Sequence, residues 1–235
     1  MSATAPYPVT AASGLPETHL PESLIAQLPA SVAGAPWHTR CQTVTWLHPV
    51  DEAALNALPA AIRPAGISVV AWALVRYADT PVGPYDEIAA TLLPADGGDG
   101  YGHIPFIAVD SLPSIVGGRA NWLLPKALAE FDWTDDEKSV TVSAHVPATP
   151  AWTIRVSIDV TSDAMPLDIP NHVQQVSTDG EVRRFDGTLS GAMRMASVTV
   201  DGHADGPLAA LLVPGRYDGT VLSDCEFEVG GLNPA

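Results

Sequence analysis

The sequence predicts an α+β chain that is mainly antiparallel β, with the sheet closed or partly closed into a barrel or cone and a few helices at its periphery. Three observations carry this expectation. Trp152, Ile154, Val156, Ile158 and Val160 alternate with Thr153, Arg155, Ser157 and Asp159, which is the two-residue period of a half-buried strand. Segments with a helical period are few, and they do not alternate regularly with strands as a parallel sheet requires. The 22 prolines and 19 glycines supply turns for many strand connections. Closing such a sheet hides its edges and leaves an interior that can hold a ligand.

Taken in order, the first 36 residues are rich in Pro, Ala, Ser and Thr and read as a loose N-terminal arm with one short helix over 21–28. Residues 37–235 read as one domain. Asp51 is placed to cap a helix through Glu52, Leu55 and Leu58 that stops at Pro59. Residues 67–75 read as a strand buried on both faces, although their pattern alone also fits a buried helix. The Gly- and Asp-rich run 95–102 reads as a surface turn between strands. A second helix is expected near 113–123. Val140, Val142 and Ala144 repeat the alternating pattern, as do Val198 and Val200, then Val221, Cys225 and Phe227. No internal repeat is present.

Composition excludes several function classes. Apolar residues make up 46% of the 235 and charged residues 16%, a balance that builds a core and not a disordered tail. The formal net charge of −16 argues against nucleic acid and against an anionic membrane as partners. The N-terminus lacks the basic and apolar regions of a signal peptide, and the longest apolar run is too short to span a bilayer. The two cysteines, Cys41 and Cys225, make no disulfide framework and are expected as reduced thiols in a cytoplasmic protein.

Common catalytic motifs fail. The glycines at 97–102 have no following Lys and helix, so they form no phosphate loop. Thr188–Gly191 has the wrong spacing for a nucleophile elbow. Asp201, His203 and Asp205 open like a calcium loop, but its twelfth position falls on Leu212. The seven histidines are scattered, with no pair at metal-ligand spacing. No metal and no other cofactor is expected.

The chain has two lysines. Lys138 follows Asp135, Asp136 and Glu137 and reads as an exposed turn residue. Lys126 is flanked by Trp122, Leu123, Leu124, Pro125, Ala127 and Leu128. A buried ammonium is disfavoured by desolvation, and loss of its proton yields the neutral amine that carbonyl chemistry needs. The same local sequence also fits a lysine whose stem is buried and whose head reaches water.

The segment Gly118-Arg119-Ala120-Asn121-Trp122-Leu123-Leu124-Pro125-Lys126 resembles the signature of the acetoacetate decarboxylase family, a Gly-Arg pair followed by an apolar residue, Pro and the Schiff-base lysine. Gly83-Pro84-Tyr85-Asp86-Glu87 is similar to the family's Gly-x-Tyr-x-Glu segment, and Arg40 lies where the family places a pocket arginine. The resemblance runs from about Trp37 to the end. It departs at Ala127, where the founding decarboxylases carry a second lysine, and at Ala120, which is commonly acidic.

The resemblance implies that Lys126 attacks the ketone of a small oxo acid to form an iminium, with Glu87 moving protons. It further implies that Arg40 or Arg119 receives the substrate carboxylate and that Tyr85, Trp122 and Leu124 line the pocket. Arg119 has a structural alternative, pairing with a buried carboxylate. Three readings fit: a decarboxylase of a 3-oxo acid, an aldolase or dehydratase acting on a 2-oxo acid, and a non-catalytic binding barrel. Relatives are commonly oligomers, so a homo-oligomer is expected.

Overall fold

The computed structural model describes residues 7–50, 52–56, 68–94, 100–134, 136–144 and 150–234. Among these, eleven strands form one sheet: β1 (Trp37–Pro49), β2 (Ser68–Asp79), β3 (Tyr85–Pro94), β4 (His103–Val109), β5 (Lys126–Trp133), β6 (Ser139–Ala144), β7 (Trp152–Val160), β8 (Met165–Val176), β9 (Val182–Ala204), β10 (Gly215–Val229) and β11 (Asn233–Pro234). The strands follow the order β10-β1-β2-β3-β4-β5-β6-β7-β9, and β9 pairs again with β10. The mainly antiparallel sheet is therefore bent into a ring, a partly closed cone, with β8 and β11 added along β9. Helices are few: α1 (Glu22–Ile25), α2 (Glu52–Asn56) and α3 (Leu112–Trp122).

Alternation carries the expected strands into place. Trp152, Ile154 and Val156 of β7 are buried while Thr153 and Arg155 are exposed. The expected 67–75 strand becomes β2, whose Val70, Trp72 and Leu74 enter the core while Val69, Ala71 and Ala73 are only half-buried. In the core of the ring, Trp46 and Trp72 stack with centroids 5.8 Å apart, and Phe106 meets Trp152 edge-on. The expected cap Asp51, the stop at Pro59 and most of the 95–102 turn lie outside the described residues.

Residues 7–36, expected as a loose arm, lie against the ring. The Leu15 amide donates to the Pro105 carbonyl, Ser13 to Val176 and Thr178 to Ala11. The Glu17 carboxylate is buried and accepts from the Leu208 amide at 2.8 Å. Apolar Leu15, Leu20 and Leu24 supply the reason, since each buries its side chain against the ring.

One connection departs from the antiparallel rule. β4 and β5 are parallel, joined through α3, with Ile107 opposite Lys126. Ser111 begins α3, its hydroxyl accepting from the Ser114 amide. The helix ends where Leu123 adopts the left-handed conformation at φ 58°, a backbone costing on the order of 1 kcal/mol for a non-glycine residue. Pro125 then biases Leu124 toward extended backbone. The turn Leu123-Leu124-Pro125 thus delivers Lys126 as the first residue of β5.

Candidate active site

Lys126 is 3% exposed, so its amine is enclosed and does not reach surface water. Its stem lies along α3 because residue 118 is glycine: a Cβ there would sit 2.5 Å from Lys126 Cδ. The neighbouring Gly117 makes the same kind of room for Trp37. The Nζ donates to Glu87 Oε2 at 2.7 Å, Ser114 Oγ at 3.0 Å and Tyr85 Oη at 3.3 Å. An ammonium has three hydrogens, and all three find an acceptor.

Glu87 comes from β3 and is 7% exposed. Its other oxygen, Oε1, accepts from Tyr77 Oη at 3.4 Å. Tyr77 is opposite Tyr85 across the β2–β3 hairpin, and their rings lie 4.5 Å apart. The hairpin turn sets this register: Thr80 Oγ1 donates to the Gly83 carbonyl, and Gly83 takes φ +87°. Asp86, between Tyr85 and Glu87, points to the opposite face, where it accepts from Trp133 Nε1 and pairs with Arg76.

Burial works against the Lys126 charge, but Glu87 and Tyr85 outweigh it and hold the ammonium above its ordinary pKa. The sequence-based expectation that burial lowers that pKa is therefore corrected: the neighbouring Glu87 and Tyr85 prevail over burial. Burial pushes the Tyr85 phenol up to about 12, with Lys126 pulling the other way. Tyr85 therefore remains a proton carrier at neutral pH.

These groups open onto a cavity of about 210 Å³. That is smaller than the ~300–1,000 Å³ typical of drug-sized ligands, and suits a small molecule. Trp37, Trp122, Leu124, Phe185, Leu189 and Phe227 supply much of its apolar wall. Trp122 is fixed by donation from Nε1 to the Gly230 carbonyl at 2.7 Å and by edge-on contact with Trp37. Among the lining residues Lys126 is the cation and Glu87 the anion.

The structure brings Lys126, Glu87, Tyr85, Trp122 and Leu124 together, but not the two arginines. Arg40 is on the outer face of β1, with its side chain 70% exposed and 3.4 Å from Asp79. Strand alternation is the reason: Thr39 and Cys41 face the cavity, so Arg40 between them faces out. Arg119 is buried, yet it donates to the backbone carbonyls of Lys126, Val9 and Thr18 and does not line the cavity. Among the described residues it pairs with no carboxylate. Burial lowers its pKa to about 10.

Ser114 and Tyr77 were missed by sequence reasoning. Tyr77 was findable, because a hairpin turning at Thr80–Gly83 places it opposite Tyr85. Ser114 gave no local signal, since only the fold of α3 over β5 brings it to the amine. Among the described residues no group of three potential metal ligands comes together, and no helix is long and apolar enough to cross a membrane.

Comparison with known proteins gives a consistent picture. The family model described as acetoacetate decarboxylase matches residues 24–232. No curated protein sequence matches the chain. A solved structure of an acetoacetate decarboxylase superposes with a TM-score of 0.65 at 14% identity, covering 92% of this chain and 98% of the other. The acetoacetate decarboxylase of Legionella pneumophila gives 0.61 at 15%, covering 88% and 90%. The enduracididine biosynthesis enzyme MppR, solved in complex with pyruvate, gives 0.59 at 17%, covering 87% and 92%. At these identities the likeness concerns the fold.

Proposed function

Because the chain belongs to the acetoacetate decarboxylase family, we propose that it is a Schiff-base lyase that decarboxylates a small 3-oxo acid. The observation that carries this reading is the enclosed Lys126 amine, hydrogen-bonded to Glu87 at 2.7 Å in a small, largely apolar cavity. On substrate entry Glu87 takes a proton from the ammonium across this hydrogen bond. The neutral amine attacks the ketone carbon. The resulting alkoxide takes a proton from the attached nitrogen, and Glu87 returns its own proton to the hydroxyl so formed, which leaves as water with an iminium on Lys126.

In a 3-oxo acid the carboxylate is placed so that its C–C bond electrons flow into the iminium as carbon dioxide leaves. An apolar wall favours this step, because the carboxylate's charge disperses in the transition state. Tyr85, which has kept its proton, protonates the resulting enamine and regains a proton from water, and hydrolysis releases the ketone. Arg40 and Arg119 are turned away from the cavity, so apolar contact and the iminium itself orient the substrate.

Ala127 favours a second reading, aldol or dehydratase chemistry on a 2-oxo acid, because the founding decarboxylases carry a lysine there. The two readings differ in product. Incubation with acetoacetate should release carbon dioxide and acetone in equal amounts. Absence of carbon dioxide, with condensation of pyruvate and an aldehyde seen by NMR, would favour the second.

A further inference from the structure

Cys41 of β1 and Cys225 of β10 stand directly opposite each other, 184 residues apart in sequence and paired across an antiparallel ladder. Both face inward: Cys41 is 7% exposed and Cys225 0%. Opposed residues in such a ladder have Cα atoms about 4.5–5.5 Å apart, within the ~4.4–6.8 Å span of disulfides. The two thiols are close enough to shift each other's titration, Cys225 below its ordinary pKa and Cys41 above it, which makes Cys225 the more acidic of the pair.

The backbone is specially shaped at this point. The register advances two residues on β1, from Cys41 to Thr43, while it moves three on β10, from Cys225 to Leu222. The extra residue makes a bulge, and Asp224 beside Cys225 takes a left-handed φ of 50°. Bulges re-aim side chains and increase local twist. This one interrupts the ladder where the two sulfurs meet. Cys41 also lines the Lys126 cavity, close enough to Glu87 to feel its charge. Both cysteines border an outer depression with Arg76, Asp110 and Glu226, and Cys41 borders the cavity as well.

We propose that Cys41 and Cys225 form a reversible thiol–disulfide site in the wall of the Lys126 cavity, oxidised by a small peroxide. The Cys225 thiolate attacks one oxygen of hydrogen peroxide. The O–O bond breaks, and the departing hydroxide takes a proton and leaves as water. The Cys41 sulfur then attacks the sulfenic sulfur of Cys225, the S–O bond breaks, and the second oxygen leaves as water with the Cys41 proton. Two thiols are oxidised and one peroxide is reduced to two waters. A dithiol reductant reverses the bond by exchange. An S–S bond is about 2.05 Å long, much shorter than a thiol–thiol contact, so oxidation draws in the cavity wall beside Glu87. Its effect on Lys126 rests on the Schiff-base reading, whereas the disulfide itself does not.

The test is to expose the folded protein to hydrogen peroxide, denature it, alkylate free thiols and map the peptides by mass spectrometry. The expected result is a cross-linked peptide pair holding Cys41 and Cys225, two hydrogen masses lighter than the reduced pair and restored by dithiothreitol. In Cys225→Ala no cross-link forms and Cys41 stays alkylatable. Free alkylation of both cysteines after peroxide, or separate oxidation to sulfinic acids, overturns the proposal. Borohydride trapping of an oxo acid on Lys126, before and after oxidation, reads the effect on the cavity. A several-fold fall restored by dithiothreitol is expected, and an unchanged yield on the cross-linked protein refutes the effect. No adduct on the reduced protein would instead defeat the Schiff-base reading and leave the disulfide result standing.

Discussion

Glu87 Oε2 accepts a hydrogen bond from Lys126 Nζ at 2.7 Å, and both residues are almost wholly enclosed. Burial acts to lower the amine's pKa, while Glu87 acts to raise it and prevails together with Tyr85. The amine is thus held as the ammonium, and the proposed carboxylate base already touches the proton that must move.

Glu87→Gln removes the counter-charge and the base together. With the anion gone, burial prevails and the pKa of Lys126 falls. Turnover should drop by roughly 10²–10⁴-fold, the usual worth of a positioned acid–base group. The acid limb of imine formation should move to lower pH. Steady-state kinetics and pH-dependent trapping measure the two effects separately.

Gly118→Ala places a methyl 2.5 Å from Lys126 Cδ and 2.6 Å from Cε. Alanine is the better helix former by about 1 kcal/mol, so the fold should survive. The lysine stem must shift, and a displacement near 1 Å costs about 10²-fold in rate. An unchanged melting temperature with lost activity is the expected signature.

Arg119→Met keeps the side chain's length and removes its donors. The carbonyls of Lys126, Val9 and Thr18 then lose a shared partner, at about 1–3 kcal/mol for each left buried and unpaired. Stability to urea should fall by about 3 kcal/mol or more, and residues 7–20 should become more accessible to protease. Arg119→Lys should not rescue, because an ammonium cannot reproduce the planar fork.

His103 gives the stability a pH dependence of defined sign. Burial lowers its pKa from 6.5 to about 4, and Nδ1 contacts the Gln174 carbonyl at 3.2 Å. The native state holds it neutral, while the unfolded chain protonates it below 6.5. Its contribution is therefore complete above pH 6.5 and is lost as pH falls toward 4, amounting to on the order of 3 kcal/mol. His103→Gln should flatten this part of the profile in urea titrations at pH 7 and 4.5.

Much of the fold was legible where residues obey a period. Trp152, Ile154 and Val156 announced β7, and the helix expected near 113–123 is α3. Strand β9 was legible only at Val198 and Val200, because Gly187 and Gly191 interrupt its pattern. They are glycines because a Cβ would meet the backbone carbonyls of Glu228 and Ser223. In the site, the family resemblance pointed to Lys126, Tyr85 and Glu87, and the structure brings the three side chains together. Arg40 misled because position in a motif does not fix the face of a strand, and Arg119 because its partners are backbone carbonyls that no sequence pattern reveals. The arm looked loose by composition, yet Glu17 and Leu15 anchor it through contacts far away in the chain.

Reductive trapping tests the Schiff base most directly. The protein is incubated with acetoacetate, and separately with pyruvate, then reduced with borohydride and mapped by peptide mass spectrometry. The expected result is an adduct on Lys126, absent in Lys126→Ala and absent from Lys138. Failure of Lys126 to trap any of a broad panel of oxo acids and aldehydes would contradict the Schiff-base assignment and leave a binding barrel as the better reading.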